Sequence, residues 1–334
     1  MPVLGAAALL AALCFIKPPG GSPADVPIHR SDFLLNTFVD IAIYDSRDES
    51  ILDGAMALCR EYENRFSRTL SGSEVYRLNH REDATGTYPL SDDMTDLLAT
   101  ALYYCERSGG AFDITTEPLS SLWNFSGTSP SVPPAEAIEE ARKKVDYKKL
   151  RLDGTRSTLT FLDPGTSIDL GAIAKGYIAD QLKAYLLDSG VESAMINLGG
   201  NVLCVGSRPD GTPFTVGLQK PFADRNETFA QVEVSDLSVV ASGVYERHFV
   251  EDGKNYHHIL DPSTGYPYDN GLISVTILSE RSVDGDALST TCFSLGLSRG
   301  MELVESMDGV YACFIDEDYQ IHYSDGMEKF LRKD

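Results

Sequence analysis

The sequence predicts an α+β protein with mixed, largely antiparallel sheets and packed helices. Three observations carry this. An alternating strand pattern appears early, at residues 38–44. Short β-rich runs then recur among helical stretches over the rest of the chain. The G-x-G-x-x-G fingerprint of a dinucleotide-binding βαβ unit is missing, which removes support for a Rossmann site. There is no internal repeat and no low-complexity tract.

Residues 3–16 form an apolar run long enough for the core of an export signal but short of the roughly 20 residues that span a bilayer. The Lys-Pro-Pro-Gly-Gly stretch at 17–21 follows as a non-helical tether. Residues 1–21 therefore read as a signal or anchor segment with its tether, and 22–334 as the folded body. In the first strand Val39, Ile41 and Ile43 share one side and Asp40 and Ala42 the other, which predicts a half-buried strand. Ile51, Ala55, Leu58, Tyr62 and Phe66 then recur at helical spacing. A second helix is marked by Ser91 as N-cap, Asp92 and Asp93 in its first turn, and Gly109 and Gly110 as its stop. Residues 127–134, rich in Ser, Pro and Gly, are the best internal linker candidate, ahead of a helix at 135–145. Strands are predicted at 150–153, 158–161, 194–198, 228–234 and 272–278, and helices at 174–189 and 286–297.

The 334 residues, 43% of them hydrophobic, suffice for a sizeable core. Fifty acidic against 28 basic residues give a formal charge of −22, which repels nucleic acid and anionic membrane headgroups. An anionic small substrate would need a metal, a lysine or helix N-terminal amides to overcome that field. The six cysteines, Cys14, Cys59, Cys105, Cys204, Cys292 and Cys313, show no C-x-x-C spacing and read as buried free thiols.

Four segments carry residues capable of chemistry. In SIDLGAIAKGY at 167–177 a short apolar strand turns through Gly171 into a helix. Lys175 in its first turn opposes the helix dipole, a mismatch that makes sense if the lysine faces a phosphate. Taken alone, Lys175 also reads as a solvated lysine, and Asp169 as an ordinary cap or salt-bridge partner. DGDALST at 284–290 opens a helix in which Asp286 and Thr290 are i, i+4 neighbours. Oxygen ligands this sparse suit Mg²⁺, which keeps several waters and takes further ligands from substrate phosphates. An acidic first turn and a helix-facing threonine are the plainer alternative.

YHHILDPSTGYP at 256–267 places His257 and His258 ahead of a tight turn. Histidines 29, 80, 248 and 322 show no ligand-like spacing to the pair, which argues against zinc. One histidine held as a general base fits, because imidazole ordinarily titrates near neutrality, and a hydrogen-bonded structural histidine fits as well. GGAFDIT at 109–115, followed by Pro118, Leu119 and the only tryptophan, Trp123, allows close backbone approach to a flat ligand with an aromatic and a carboxylate at its edge.

In their order along the chain and at roughly their separations, the four clusters together resemble the ApbE family of FAD:protein FMN transferases. The resemblance runs from about Asp32 to Glu305 and takes in LLNT at 34–37, SEVYRLN at 73–79, NLGG at 197–200 and SGVYER at 242–247. It implies an ApbE-like, T-fold-like architecture for residues 22–334, and Mg²⁺-dependent transfer of FMN from FAD to a threonine hydroxyl, releasing AMP. By resemblance, Asp286, Thr290 and the backbone carbonyl of Ala172 would hold the metal, with Ser289 close enough to assist. Flavin contacts would fall on Leu35, Thr69, Ala111, Phe112, Asp113, Asp169, Lys175 and Leu260. His258, or else Asp286, would take the threonine proton. The acceptors implied are FMN-binding subunits of redox complexes with a threonine in a short Ser/Thr-rich motif. The family is often exported and membrane-tethered, which suits the apolar run at 3–16. This chain departs from the family pattern at Leu35 and Asn36, where Met-Gly is frequent, at Asn201 and Val244, where Asp is common, and at Thr69, where some members have an aromatic. Water in place of threonine would make the chain an FAD pyrophosphatase, and a flavin carrier without turnover is the reading from another class.

Overall fold

The computed structural model describes residues 26–125, 127–224 and 226–333, so the expected export segment, its tether and Cys14 lie outside the described residues. The chain runs β1 (Ile28–Leu34), β2 (Thr37–Ile43), α1 (Glu49–Phe66), α2 (Glu74–Asn79), β3 (Gly86–Pro89), α3 (Asp92–Arg107), α4 (Glu117–Trp123) and α5 (Ala135–Arg142). Then follow β4 (Leu150–Asp153), β5 (Thr158–Phe161), α6 (Ala174–Asp188), β6 (Ala194–Leu198), β7 (Asn201–Val205), β8 (Phe214–Gln219), β9 (Thr228–Val234) and β10 (Ser238–Gly243). The last elements are β11 (His248–Glu251), β12 (Lys254–His257), β13 (Leu272–Ser279), α7 (Ser282–Glu305), β14 (Tyr311–Asp316) and β15 (Ile321–Tyr323). Eight strands make the main sheet in the order β1-β2-β6-β7-β10-β13-β14-β15, with every neighbouring pair antiparallel. The α+β class is the one observed.

The sheet is covered on both faces. Val39, Ile41 and Ile43 join residues of α1, α3, α6 and α7 in the principal core. The opposite face carries Ala42, Cys204, Leu278 and Cys313 against Phe214, Val216, Leu218 and Val232 of the β8–β9 hairpin. The second strand is therefore buried on both sides rather than half-buried, and even Asp40 is only 3% exposed. Its carboxylate is satisfied by Ser31 and His29 on the adjacent β1, as a buried charge requires. The strand pattern did not reveal the hairpin that roofs it, because that contact is long-range.

Local signals set several helix ends. Asp48 accepts the Ser50 N–H ahead of α1, and Ser91 accepts the Met94 N–H ahead of α3. Gly109 and Gly110, at φ 65° and 87°, take the left-handed turn that stops α3. The short α2 is an addition to the two helices expected here. Ser73 caps it, and its Glu74 accepts from the Ser91 N–H and hydroxyl at 2.9 and 2.7 Å, tying α2 to the start of α3. The helix expected at 135–145 ends at Arg142, and the 127–134 loop joins α4 to α5, which pack together through Leu119, Trp123, Ile138 and Ala141.

Helix α7 starts a turn earlier than expected, at Ser282, and Gly296 breaks it with φ 76° and ψ 173°. Arg281 at its N-terminus makes no side-chain cap. The cap comes instead from Asp180 on α6, whose carboxylate receives the Ser282 and Val283 N–H groups at 2.8 and 2.9 Å. Cys59, Cys105, Cys204, Cys292 and Cys313 are all buried free thiols. Among the described residues no helix is long and apolar enough to cross a membrane.

Candidate active site

Helices α6 and α7 meet at Gly176. A Cβ there would lie 2.2 Å from the Ser282 carbonyl oxygen, so only glycine allows this approach. The crossing brings Lys175, in the first turn of α6, against Asp286 of α7. The Lys175 ammonium lies 3.0 and 3.4 Å from the two Asp286 carboxylate oxygens, and the Gly176 N–H donates to Oδ2 at 2.9 Å. Asp286 is 3% exposed. An ionised carboxylate at that depth persists because these donors replace its water. Because α6 begins at Ala174, the Gly176 N–H is one of the first-turn donors that have no acceptor within the helix, and the Asp286 carboxylate takes it.

Hydroxyl groups gather one turn further along α7. Ser242 Oγ, from β10, sits 2.8 Å from Ser289 Oγ and 3.1 Å from Thr290 Oγ1. Ser289 also donates to the Asp286 backbone carbonyl at 2.9 Å. Ser242 was missed from sequence, because nothing local to SGVYER distinguishes a site hydroxyl from a strand-facing serine. Among the described residues no group of three or more His, Cys, Asp or Glu side chains could hold a metal. The side-chain donors present are one buried carboxylate and the hydroxyls. That set is hard and sparse, and it fits Mg²⁺ better than a softer ion that demands a full protein cage.

The two histidines divide. His257 is 4% exposed and fully engaged: Nε2 is 2.9 Å from the Tyr268 carbonyl, and Nδ1 accepts the Ile259 N–H at 3.3 Å. Burial pulls it down to about 4 from an ordinary 6.5, so it is a neutral Nε2–H tautomer and a structural residue. His257 holds the 256–268 turn together. His258 keeps a buried Nδ1 with no hydrogen-bond partner. Burial first, then the Arg247 charge, pull it down to about 3, with a further push from Lys175. The free imidazole is therefore neutral, but a far weaker acceptor than the near-neutral histidine the sequence suggested.

The flavin-contact candidates are placed unevenly. Phe112 is 3% exposed within the principal core. Asp113 spends one oxygen on the Thr115 N–H and hydroxyl and the other on the Tyr147 N–H. Neither side chain is available at a ligand's edge, and what GGAFDIT can offer is its glycine backbone and Ala111, whose carbonyl accepts the Tyr268 hydroxyl at 2.9 Å. Asp169 caps the Gly171 N–H and pairs with Arg68, which also reaches Glu117. Leu35, at φ 56°, donates its N–H to Glu63, and Leu260 packs with Trp123. Thr69 is exposed on the loop beside Arg68. Arg68, Glu63 and Tyr268 were not singled out from sequence, since each acts through a partner far along the chain. A cavity of about 410 Å³ lined by Glu117, Leu122, Ala141, Lys144 and Ser167 contains none of the candidates in its wall.

Fold and site thus define an antiparallel α+β protein whose centre sets a lysine, a buried carboxylate and clustered hydroxyls at a helix crossing, a set suited to phosphoryl-group chemistry. The model of the ApbE family matches residues 35–315, and the chain belongs to that family. It is 37% identical to an FAD:protein FMN transferase of Klebsiella pneumoniae (strain 342), covering 87% of this chain and 90% of the relative. It is 32% identical to one of Treponema pallidum (strain Nichols), covering 97% and 94%. Among solved structures, the ApbE protein of Thermotoga maritima superposes with a TM-score of 0.83 at 32% identity, covering 92% of this chain and all of that one. The flavin transferase ApbE of Vibrio cholerae gives 0.81 at 27% identity, covering 91% and 99%.

Proposed function

We propose that this ApbE-family flavin transferase moves FMN from FAD to a threonine hydroxyl of an acceptor protein, with Mg²⁺ held by Asp286, Thr290 and the Ala172 carbonyl, and Ser289 beside them. The observation that carries the reading is the buried Asp286 carboxylate at the α6–α7 crossing, with Lys175 on it, in a chain whose charge of −22 otherwise repels a dinucleotide. The metal, when bound, supplies positive charge against the pyrophosphate.

The chain's own residues do the rest. Lys175 offers its ammonium to a phosphate oxygen. The turn 109–111 and Leu35 border the flavin through backbone and apolar contacts. The threonine oxygen attacks the FMN-side phosphorus, its bond to phosphorus forms as the bond to the AMP phosphate breaks, and AMP leaves with the electron pair. His258 accepts the threonine proton at its unpartnered Nδ1. Burial is the main cause that holds His258 low, and an anionic pyrophosphate nearby offsets the smaller contributions of Arg247 and Lys175, so the acceptor strengthens in part when substrate is present. Asp286, which keeps the Gly176 N–H and would hold the metal, is the weaker candidate for that proton. Acceptors are FMN-binding subunits of redox complexes, and the apolar run at 3–16 supports an extracytoplasmic location with an N-terminal membrane tether.

Asp286→Ala tests the reading: it abolishes Mg²⁺-dependent AMP release from FAD. Normal turnover by that variant in the presence of chelator would remove the metal from Asp286.

A further inference from the structure

We infer that Lys175 is an exchangeable cation that neutralises Asp286 while the site is empty and passes to the FAD pyrophosphate when Mg²⁺ takes its place. The inference rests on the proposed metal and substrate, and concerns how the two are coupled. In the structure the cation on Asp286 is the Lys175 ammonium, at 3.0 Å. The carboxylate is 3% exposed and cannot stand uncompensated at that depth. Nothing fixes the lysine there besides the carboxylate: its side chain is 27% exposed and its only hydrogen bonds among those of the described residues go to Asp286. A four-carbon stem with rotatable donors can leave without moving α6, whereas the Gly176 N–H, being backbone, stays on Oδ2.

Two cations on one carboxylate repel each other, so a divalent ion on Asp286 displaces the ammonium. The displaced charge stands at the N-terminal end of α6, where the helix dipole disfavours it and an anion beside it is favoured. The site therefore couples its two ligands. Without metal, Asp286 competes with the pyrophosphate for Lys175; with metal, Lys175 is released to the substrate. Asp286 thereby suppresses FAD binding in metal-free protein, the opposite of what a simple metal ligand does there.

The test is a fluorescence titration of FAD, in EDTA, against wild-type, Asp286→Asn and Lys175→Met/Asp286→Asn proteins, each checked for folding by circular dichroism. The carboxamide introduced by Asp286→Asn can still accept the Gly176 N–H but holds the lysine weakly. The expected result is that Asp286→Asn binds FAD about tenfold more tightly than wild type, the scale of one charge-assisted hydrogen bond, and that the double variant loses the gain. Equal or weaker binding by Asp286→Asn, or a gain that survives in the double variant, overturns the exchange. A second measurement covers a folding failure: calorimetric titration of Mg²⁺ without FAD gives tighter binding by Lys175→Met than by wild type if the lysine competes. Equal or weaker binding by Lys175→Met contradicts the exchange. Absence of Mg²⁺ binding to both proteins instead removes the metal assignment beneath it, and the exchange falls with that assignment.

Discussion

Gly176→Ala places a methyl group where the two site helices touch. The new Cβ would lie 2.2 Å from Ser282 O, 2.7 Å from Ser282 C and 2.7 Å from Val283 Cα, all backbone atoms, so no side-chain rotation relieves the clash. To reach an ordinary contact of 3.4 Å the helices must part by about 1 Å. Overpacking of this kind costs about 1–3 kcal/mol, partly offset by the ~1 kcal/mol helix preference of alanine over glycine. The separation also acts on the Gly176-to-Asp286 hydrogen bond and on the Asp180 cap of α7, so the expected net loss is about 2 kcal/mol. A displacement of about 1 Å at a reacting centre can cost on the order of 10²-fold in rate. Urea melts and AMP release with FAD and Mg²⁺ measure both effects. Gly72→Ala is the control, because a Cβ there meets nothing within 4 Å. A Gly176→Ala protein with wild-type stability and rate would refute the claim that this crossing sets the site.

His258→Ala retains metal-dependent FAD binding and loses flavin transfer by about 10²- to 10⁴-fold, as expected for a missing general base; a full-rate variant with an unshifted pH profile would eliminate His258. His257, held neutral by burial at about 4, refuses the proton that the unfolded chain accepts near 6.5. Its contribution to stability is complete above pH 6.5, falls by about 3 kcal/mol as the pH drops toward 4, and changes little below that. Urea melts of wild type and His257→Gln across this window measure it, and an identical decline in both proteins would contradict the assignment. Asp180→Ala unpairs the Ser282 and Val283 N–H groups and lowers stability by about 1–2 kcal/mol in a thermal melt, and Asp180→Asn recovers only part of the loss, because its single carbonyl oxygen accepts one of the two N–H groups.

Local signals were legible and long-range ones were not. The Ser91 cap and the Gly109-Gly110 stop act within a few residues, so α3 is placed correctly from sequence. The start of α7 is capped by Asp180, 102 residues away, and no inspection of residues 280–286 reveals it. Roofing of β2 by the β8–β9 hairpin is hidden for the same reason. In the site, the misfit of Lys175 with its helix dipole pointed to a phosphate, whereas the anion that Lys175 meets in the structure is the Asp286 carboxylate, 111 residues along the chain. Phe112 and Asp113 read as ligand-facing because an aromatic and a carboxylate beside two glycines look alike whether they face a ring or, as here, the core.

Following the flavin tests the proposed transfer most directly. The protein is incubated with FAD, Mg²⁺ and a redox-complex subunit carrying a threonine in a Ser/Thr-rich motif, then run on a denaturing gel while AMP is quantified. A transferase leaves a fluorescent flavin band on the acceptor, lost when that threonine is replaced by alanine, with one AMP released for each flavin attached. AMP and free FMN in equal amounts, with no flavin on the acceptor, would contradict transfer and make the chain a hydrolase.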